Sequence, residues 1–360
     1  VLAMQEGYLR VDSSNPAYTN NNQRPDGNTF YQEPSAYQIK DNDRTRANAQ
    51  VTFQFQPTDR IRTTVDYTYS NVDFNAEGVM FGSWLGGWDT LDATINARGT
   101  YTDVVVGNRA YDHEVIWQSL ENENKSLGFN LAWDLTDSIA LTFDAHNSSA
   151  AVDGGELNNA VGFTTDIQGT ITHVNGGGSG INSFSYDTDF APANYLATSA
   201  RIQDGFKENE IQQLQVNGEW SNLDVGLISS IEFGISSIDN EFAKIRQISN
   251  FGALGSTADQ YDDGLFRRTS LGGFMDGFDP VIGTDYYYAI DPGAAIAAFA
   301  ANNPTSMDVD GTICCGAGPI DHNDRVYETI DSIFVQFNMG SSIKQMPLDI
   351  VAGVRYEKAD

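Results

Sequence analysis

The chain has 360 residues and a formal net charge of −29, from 20 basic and 49 acidic side chains. A surface this acidic repels phosphate backbones, so the composition argues against nucleic-acid binding. The sequence shows no signal-peptide pattern at its start and no apolar run long enough for a transmembrane helix. A membrane-spanning β-barrel stays possible, because its strands are only half apolar.

The first elements are a polar loop and a hairpin. Residues 10–47 are rich in Asn, Asp, Pro and Tyr, which predicts a long loop. Val51, Phe53 and Phe55 then alternate with polar residues, and the alternation resumes at Ile61 after the break at residues 57–60. We therefore predict a β-hairpin over about residues 48–70 with a tight turn.

The same pattern recurs three times. In the second hairpin, Leu127, Phe129, Leu131 and Trp133 lead to a polar turn at residues 136–138, and apolar alternation resumes at Ile139. Predicted hairpins cover about 124–149, 209–238 and 328–357, separated by predicted loops at about 71–123, 150–208 and 239–325. The last loop contains one helix signal, with Asp291 as cap, Pro292 at the first position and an Ala-rich run at residues 294–301.

Long loops and short turns fall at opposite ends of every predicted hairpin. Loops beyond about 15 residues are uncommon in compact soluble domains, whereas outer-membrane barrels have short periplasmic turns and long extracellular loops. Each predicted strand is about ten residues long, which matches the number needed to cross a bilayer at a tilt. The turn ends carry Trp133 and Trp220, and the loop ends carry Tyr67, Tyr69 and Tyr356, as two interfacial aromatic belts require. The sequence thus predicts an all-β fold, an antiparallel transmembrane β-barrel segment of about eight strands.

Three segments carry a resemblance to a known family. Residues 51–70, 127–150 and 347–357 resemble barrel strands of TonB-dependent outer-membrane receptors, most closely the large-loop branch that takes up carbohydrates and other nutrients. The resemblance implies a bacterial outer-membrane location and a barrel of about 22 strands around an N-terminal plug. It also implies a small-molecule or oligosaccharide ligand held by extracellular loops, with import driven through the TonB energy-coupling complex.

The sequence departs from that family because no segment resembles the plug or its TonB-contacting stretch. If the short turns are periplasmic, Val1 and Asp360 both lie at the extracellular end. We therefore expect a central fragment of a larger barrel, whose edge strands need partners outside these residues. Two other classes stay open, a passive porin and a soluble or surface β-rich glycan-binding protein.

No catalytic, cofactor or metal motif emerges, and the sequence predicts a protein that is not an enzyme. His113, His146, His173 and His322 are scattered, and the Gly-rich residues 176–180 lack the Lys-Ser/Thr of a phosphate loop. The acidic pieces at 259–264 and 308–311 lack the closing Glu of a calcium loop. The adjacent Cys314 and Cys315 are either oxidised together or exposed, and they indicate little about compartment.

Loop aromatics are the candidate ligand-binding residues. Flat rings stack on sugars, while neighbouring Asp and Asn side chains bind hydroxyl groups. The alternative is that these rings pack the loops together. The candidates are Trp84, Trp88, Trp117, Tyr286, Tyr287 and Tyr288.

Overall fold

The structure is a computed structural model that describes most of the chain. The described residues are 2–4, 8–12, 28–32, 34–84, 90–97, 101–155, 158–165, 169–174, 183–187, 191–224, 226–254, 257, 260–275, 277, 284–343 and 346–360. Over these residues the fold is all-β with antiparallel strand pairing, as predicted.

The elements follow in chain order. The first nine strands are β1 (Leu2–Met4), β2 (Tyr8–Asp12), β3 (Asn28–Gln32), β4 (Pro34–Thr58), β5 (Ile61–Trp84), β6 (Thr90–Ile95), β7 (Tyr101–Arg109), β8 (Asp112–Asp134) and β9 (Ile139–Asp153). The next five are β10 (Asn159–Thr165), β11 (Gly169–Val174), β12 (Ser183–Tyr186), β13 (Tyr195–Ser221) and β14 (Ile228–Gly252). The last are β15 (Arg267–Ser270), β16 (Tyr286–Ala289), helix α1 (Pro292–Asn302), β17 (Ile320–Ile343) and β18 (Met346–Ala359). Within the described ranges, 3₁₀ turns cover Pro192–Asn194 and Asp263–Leu265.

One ten-stranded sheet contains all the long strands. Its order is β1-β4-β5-β8-β10-β13-β14-β17-β18, and β9 also lies between β8 and β13. β9 and β10 follow one another in the same position between β8 and β13. The strand is interrupted at Gly154, where a φ of 119° favours glycine. The remaining described strands form a four-stranded sheet, β12-β11-β7-β6, and the pairs β15-β16 and β2-β3.

The strands are longer than the sequence pattern predicts. The four hairpins β4-β5, β8-β9, β13-β14 and β17-β18 contain strands of 14 to 27 residues, so the expected length of about ten is wrong. The pattern ends early on β5 because the apolar side chains change faces. Asn71, Asp73 and Asn75 continue the face that carries Val65, while Val72, Phe74 and Ala76 occupy the other.

An exposed apolar band covers one face of the sheet next to the short turns. Its members protrude from neighbouring strands; Leu127 is 52% exposed and Val354 is 68% exposed. Trp133 lies at the turn end of the band, whereas Tyr67 lies within β5 at its other border. Further exposed members of the band are Val51, Phe53, Phe55, Val65, Phe129, Leu214, Phe233, Ile235, Ile333, Ile350 and Tyr356.

The paired residues are staggered relative to the turns. One continuous row of directly paired residues runs Phe55, Thr63, Leu131, Phe143, Val216, Ile235, Ile333, Tyr356. Phe55 lies three residues before β4 ends at Thr58, but Tyr356 lies ten residues after β18 begins at Met346. The row therefore drifts away from the turns by seven residues over seven strand-to-strand steps.

The opposite end of the sheet has a buried core. Side chains from β4, β5, β8, β10, β13 and β14 pack there against described residues of the segment between β14 and β17, among them Tyr261, Phe266 and Phe299. On these strands the core residues share a face with the apolar band, since Tyr37 and Val51 both lie at odd positions of one uninterrupted ladder. The buried members on the sheet include Tyr37, Val79, Phe81, Val115, Phe163, Tyr195 and Phe251.

The helix prediction is confirmed. α1 begins at Pro292, and the Asp291 carboxylate accepts a 2.7 Å hydrogen bond from the Ala294 amide, as an N-cap should. Among the described residues, no helix is both long and apolar enough to cross a membrane.

Replacing Gly78 by Ala tests the close approach of β4 and β5. A Cβ at Gly78 would lie 2.0 Å from the Ile39 carbonyl oxygen, so the backbone must move. We expect the free energy of unfolding to fall by about 2 kcal/mol. Denaturant unfolding of the purified protein measures this. Gly340→Ala is the matched control, because nothing lies within 4 Å of that position; equal effects of both substitutions would contradict the geometry.

Candidate functional site

A small lobe covers the core end of the sheet. We use the name lobe for described residues 260–275 and 284–303, which contain β15, β16 and α1. Aromatic contacts join it to the sheet. Phe274 packs edge-on against Tyr37 at 5.5 Å between ring centroids, and Phe266 stacks on Tyr195 at 5.4 Å. Burial of large rings of this kind is a major source of packing energy, so the lobe and the long strands form one core.

The three predicted tyrosines of β16 have different environments. Tyr288 is only 6% exposed and packs against Tyr195 and Phe266, so its ring belongs to the core. The partly buried Tyr287 stacks on Phe81, with 6.1 Å between centroids and 8° between planes. Tyr286 is half-buried under Arg268, whose guanidinium carbon lies 3.8 Å from the ring centroid. Of the three tyrosines, Tyr287 both stacks on a core residue and lines a surface cleft, which is described below.

The predicted tryptophans lie on or beside β5 and β8. Trp117 is half-buried on β8, packs against the core and pairs directly with Glu77 of β5. Trp84 ends β5 and pairs through its backbone with Pro34. Trp88 lies outside the described residues, as does the Gly-rich run 176–180. The structure therefore brings Trp117 and Tyr287 to the same end and the same face of the sheet.

His113 lies where the lobe meets the sheet. It is buried on β8, and its Nε2 lies 2.7 Å from the Tyr288 carbonyl oxygen, to which a neutral ring donates a hydrogen bond. Burial lowers the pKa of His113 to about 4, although the bond to Tyr288 opposes this shift. A neutral His113 therefore fits the contact, whereas a protonated ring would place an uncompensated charge in the core.

A cleft opens between the lobe and strands β4 and β5. We call it the lobe cleft; its volume is about 390 Å³. Asp41 and Glu77 form one wall, and Arg267 and Tyr287 belong to the lobe side. Ile39, Gly78, Val79, Gly264, Leu265, Ala289, Ile290, Asp291, Pro292 and Ala294 complete the lining. The cleft offers a ring, carboxylates and a guanidinium within one small volume, which is the mixture found in sites for polar small molecules.

A second, polar groove lies on the opposite face at the height of the apolar band. Its volume is about 510 Å³. Asp66, Gly128, His146 and Gln213 form one cross-strand row, and Asn130 donates a 2.6 Å hydrogen bond to Asp144 beside it. A Cβ at Gly128 would lie 2.6 Å from a carboxylate oxygen of Asp66, so this glycine makes room for the acid. The face opposite the band is therefore polar and open enough to hold water.

The acidic loop pieces make local hydrogen bonds to their own backbone. Asp262 accepts a hydrogen bond from the Gly264 amide, and Asp308 accepts one from the Val309 amide, each at 2.7 Å. Within the described part of the chain, no group of three or more His, Cys, Asp or Glu side chains is placed to hold a metal ion. Cys314 and Cys315 form a disulfide and are partly buried against the core, which resolves the alternative that the sequence left open.

Comparison with protein-family models, with curated proteins and with solved structures found no match.

Three charged residues of the lobe cleft escape prediction from the sequence. Asp41 and Glu77 lie within segments predicted as loops, 36 positions apart, and only the strand register places them opposite each other. Arg267 is one of two adjacent arginines, and its neighbour Arg268 contacts Tyr286 instead. No local pattern distinguishes the two, because their roles depend on how β15 sits on the sheet.

Acidification should loosen the lobe through His113. The folded pKa is about 4 against an ordinary value of 6.5, so the unfolded form binds the proton more tightly. Neutral His113 contributes fully to the stability of the lobe above pH 6.5, and this contribution is lost as the pH falls from 6.5 towards 4. We expect the stability of the lobe to fall by roughly 3 kcal/mol across that range.

Hydrogen exchange of β16 and α1, corrected for intrinsic rates, measures this loss. His113→Phe is the control, because it keeps a ring but cannot take up the proton. Parallel pH profiles for the two proteins would show that His113 does not carry the effect.

Proposed function

We propose that this chain is a β-barrel segment of a TonB-dependent receptor in the bacterial outer membrane. In this proposal the segment belongs to a transporter of about 22 strands that imports a scavenged nutrient, a carbohydrate or oligosaccharide. Lipid contacts the apolar band, extracellular loops capture the ligand, and the TonB complex drives import through a plug domain. The observation that carries the proposal is the slant of the apolar band across the sheet.

The slant follows from the stagger of the strands. A drift of one residue per strand is about 3.3 Å along the chain for every 4.8 Å across the sheet, an angle of roughly 35°. Strands of membrane barrels tilt by about 35–45°. If the four short turns lie in one plane parallel to a membrane, the register therefore gives a tilt close to that of known barrels.

The other border of the band slants in the same direction. Leu127, at that border on β8, belongs to a row that continues through Asn147 and Gln212 to Asp239 and Thr329. On the later strands the band begins at Ile235 and Ile333, each four positions to the turn side of that row. Both borders thus cross the rows obliquely, as a flat slab of lipid would require of tilted strands.

The height of the band is also consistent with lipid. On β18 it extends from Leu348 to Tyr356, eight residue steps. This is about 27 Å along the strand and about 22 Å along the axis of a barrel with a tilt of roughly 35°. The apolar band of membrane barrels is about 25 Å tall. On β4, β5, β8, β13 and β14 the strands then continue beyond the lipid to the end of the sheet that the lobe covers.

The pairing at the two edges of the sheet supports a larger barrel. β18 pairs with β17 alone among the described strands, and β4 beyond Gln38 pairs only with β5. Unpaired backbone groups cannot remain exposed to lipid, so a membrane location requires neighbours on both edges. Further strands of a larger barrel supply them in this proposal.

Cell fractionation tests the location directly. We expect the protein in the outer-membrane fraction, with an electrophoretic mobility that changes on boiling. Recovery in the soluble fraction without a mobility shift would overturn the proposal and favour a glycan-binding protein in water. Uptake of a labelled oligosaccharide that continues without TonB would instead favour a passive porin.

The substitution Phe53→Lys tests whether lipid or water surrounds the apolar band. Phe53 is 63% exposed on the band, while its neighbour Thr52 is exposed on the polar face. In lipid, Phe53→Lys should cost about 2–4 kcal/mol near the midplane, whereas in water a surface change of this kind costs within about 0.5 kcal/mol. Unfolding in lipid vesicles measures the cost, and Thr52→Lys is the matched control. Equal small effects at both positions would contradict lipid contact.

A further inference from the structure

The lobe cleft contains an electrostatic conflict. Asp41 and Glu77 are paired directly across β4 and β5 on the same face, and both are exposed. Like charges directly opposite each other destabilise an antiparallel pair. Within the described part of the chain, neither carboxylate has a hydrogen bond or ion pair. The conflict would be relieved by a cationic group placed between the two acids.

The lobe supplies complementary groups on the other side. Arg267 lines the cleft, and among the described residues its guanidinium has no ion-pair partner. Tyr287 lines it with a ring that Phe81 holds in place by stacking. Asp291 also lines it, but its Oδ1 is occupied in capping α1. The cleft therefore has two free acids, one free guanidinium donor and one anchored aromatic ring.

We propose that the lobe cleft binds a saccharide unit that bears a protonated amino group. The ammonium group donates hydrogen bonds to Asp41 and Glu77, which removes their mutual repulsion. Arg267 donates to ring or hydroxyl oxygens, and Tyr287 offers an apolar surface for the C–H groups of the sugar. The inference rests on the proposed function only in taking a saccharide as the ligand.

The net charge of the lining decides against other saccharides. Asp41, Glu77 and Asp291 outnumber Arg267, so an acidic sugar is repelled. A neutral sugar can use Arg267 and Tyr287 but leaves the two opposed acids uncompensated. A volume of about 390 Å³ is at the small end of ligand sites, so it suits one end of a longer chain.

The cleft lies on the flank of the sheet, because Asp41 and Glu77 share the face of the apolar band. An amino sugar could reach it there as a free oligosaccharide or as the headgroup of a glycolipid. Both sources present the same chemistry. The test therefore uses soluble glucosamine oligosaccharides and, separately, vesicles that contain a glucosamine-headgroup glycolipid.

Calorimetric titration of the full-length protein, in detergent or in buffer according to its fractionation, gives the affinities. Glucosamine oligosaccharides should bind at least about tenfold more tightly than N-acetylated oligosaccharides of equal length, because acetylation removes the charge. Asp41→Asn and Glu77→Gln should each weaken binding of the amino form about tenfold and leave the acetylated form little changed. Arg267→Gln should weaken both forms alike.

Asp73→Asn is the matched control. Asp73 is exposed on the same strand and face as Glu77 but lies outside the cleft, so the same charge change should not alter binding. Equal affinity for the two oligosaccharides would overturn the proposal, and so would equal effects at Asp73 and Glu77. Binding to neither the soluble amino form nor the vesicles would overturn it as well. Binding to the vesicles alone supports the proposal with a glycolipid as the source. Because the titration works wherever the protein fractionates, its failure is distinguishable from failure of the membrane location.

Discussion

The register of the long antiparallel ladder is the constraint on which the rest of the structure depends. Side chains alternate between faces, so a slip of one residue between β4 and β5 would exchange the two faces of every residue beyond it. The same uninterrupted ladder carries Val51 opposite Tyr67 in the apolar band and Asp41 opposite Glu77 in the lobe cleft. The pairing that makes one end of the sheet apolar thus also places two acids together at the other end.

Periodicity predicts the strand segments in which all residues on one face meet the same environment. The hairpins are visible around Val51, Leu127 and Ile333 because apolar and polar residues alternate regularly there. The helix is visible because Asp291 and Pro292 encode its start locally. Beyond Tyr69 the same strand passes into another environment, and its alternation no longer favours one face, so the sequence resembles a loop.

The candidate site was only partly accessible to such reasoning. Aromatic clustering at residues 286–288 indicates an important segment, but it cannot distinguish the buried Tyr288 from Tyr287, which lines the lobe cleft. That distinction depends on contacts with His113 and Phe81, which belong to distant strands. Long-range pairing decides which aromatic rings form the core and which border a cavity. The net charge of the chain likewise does not indicate where two acidic side chains face each other without a neighbouring cation.

The lobe extends the molecule sideways from the sheet, since it packs on the face that carries the apolar band. If that band lies in lipid, the lobe stands outside the pore and directly above the surrounding membrane. Its neighbours are then the lipid headgroups and adjacent proteins. Crowding at that membrane surface would in that case govern access to the cleft, independently of whether the pore is open.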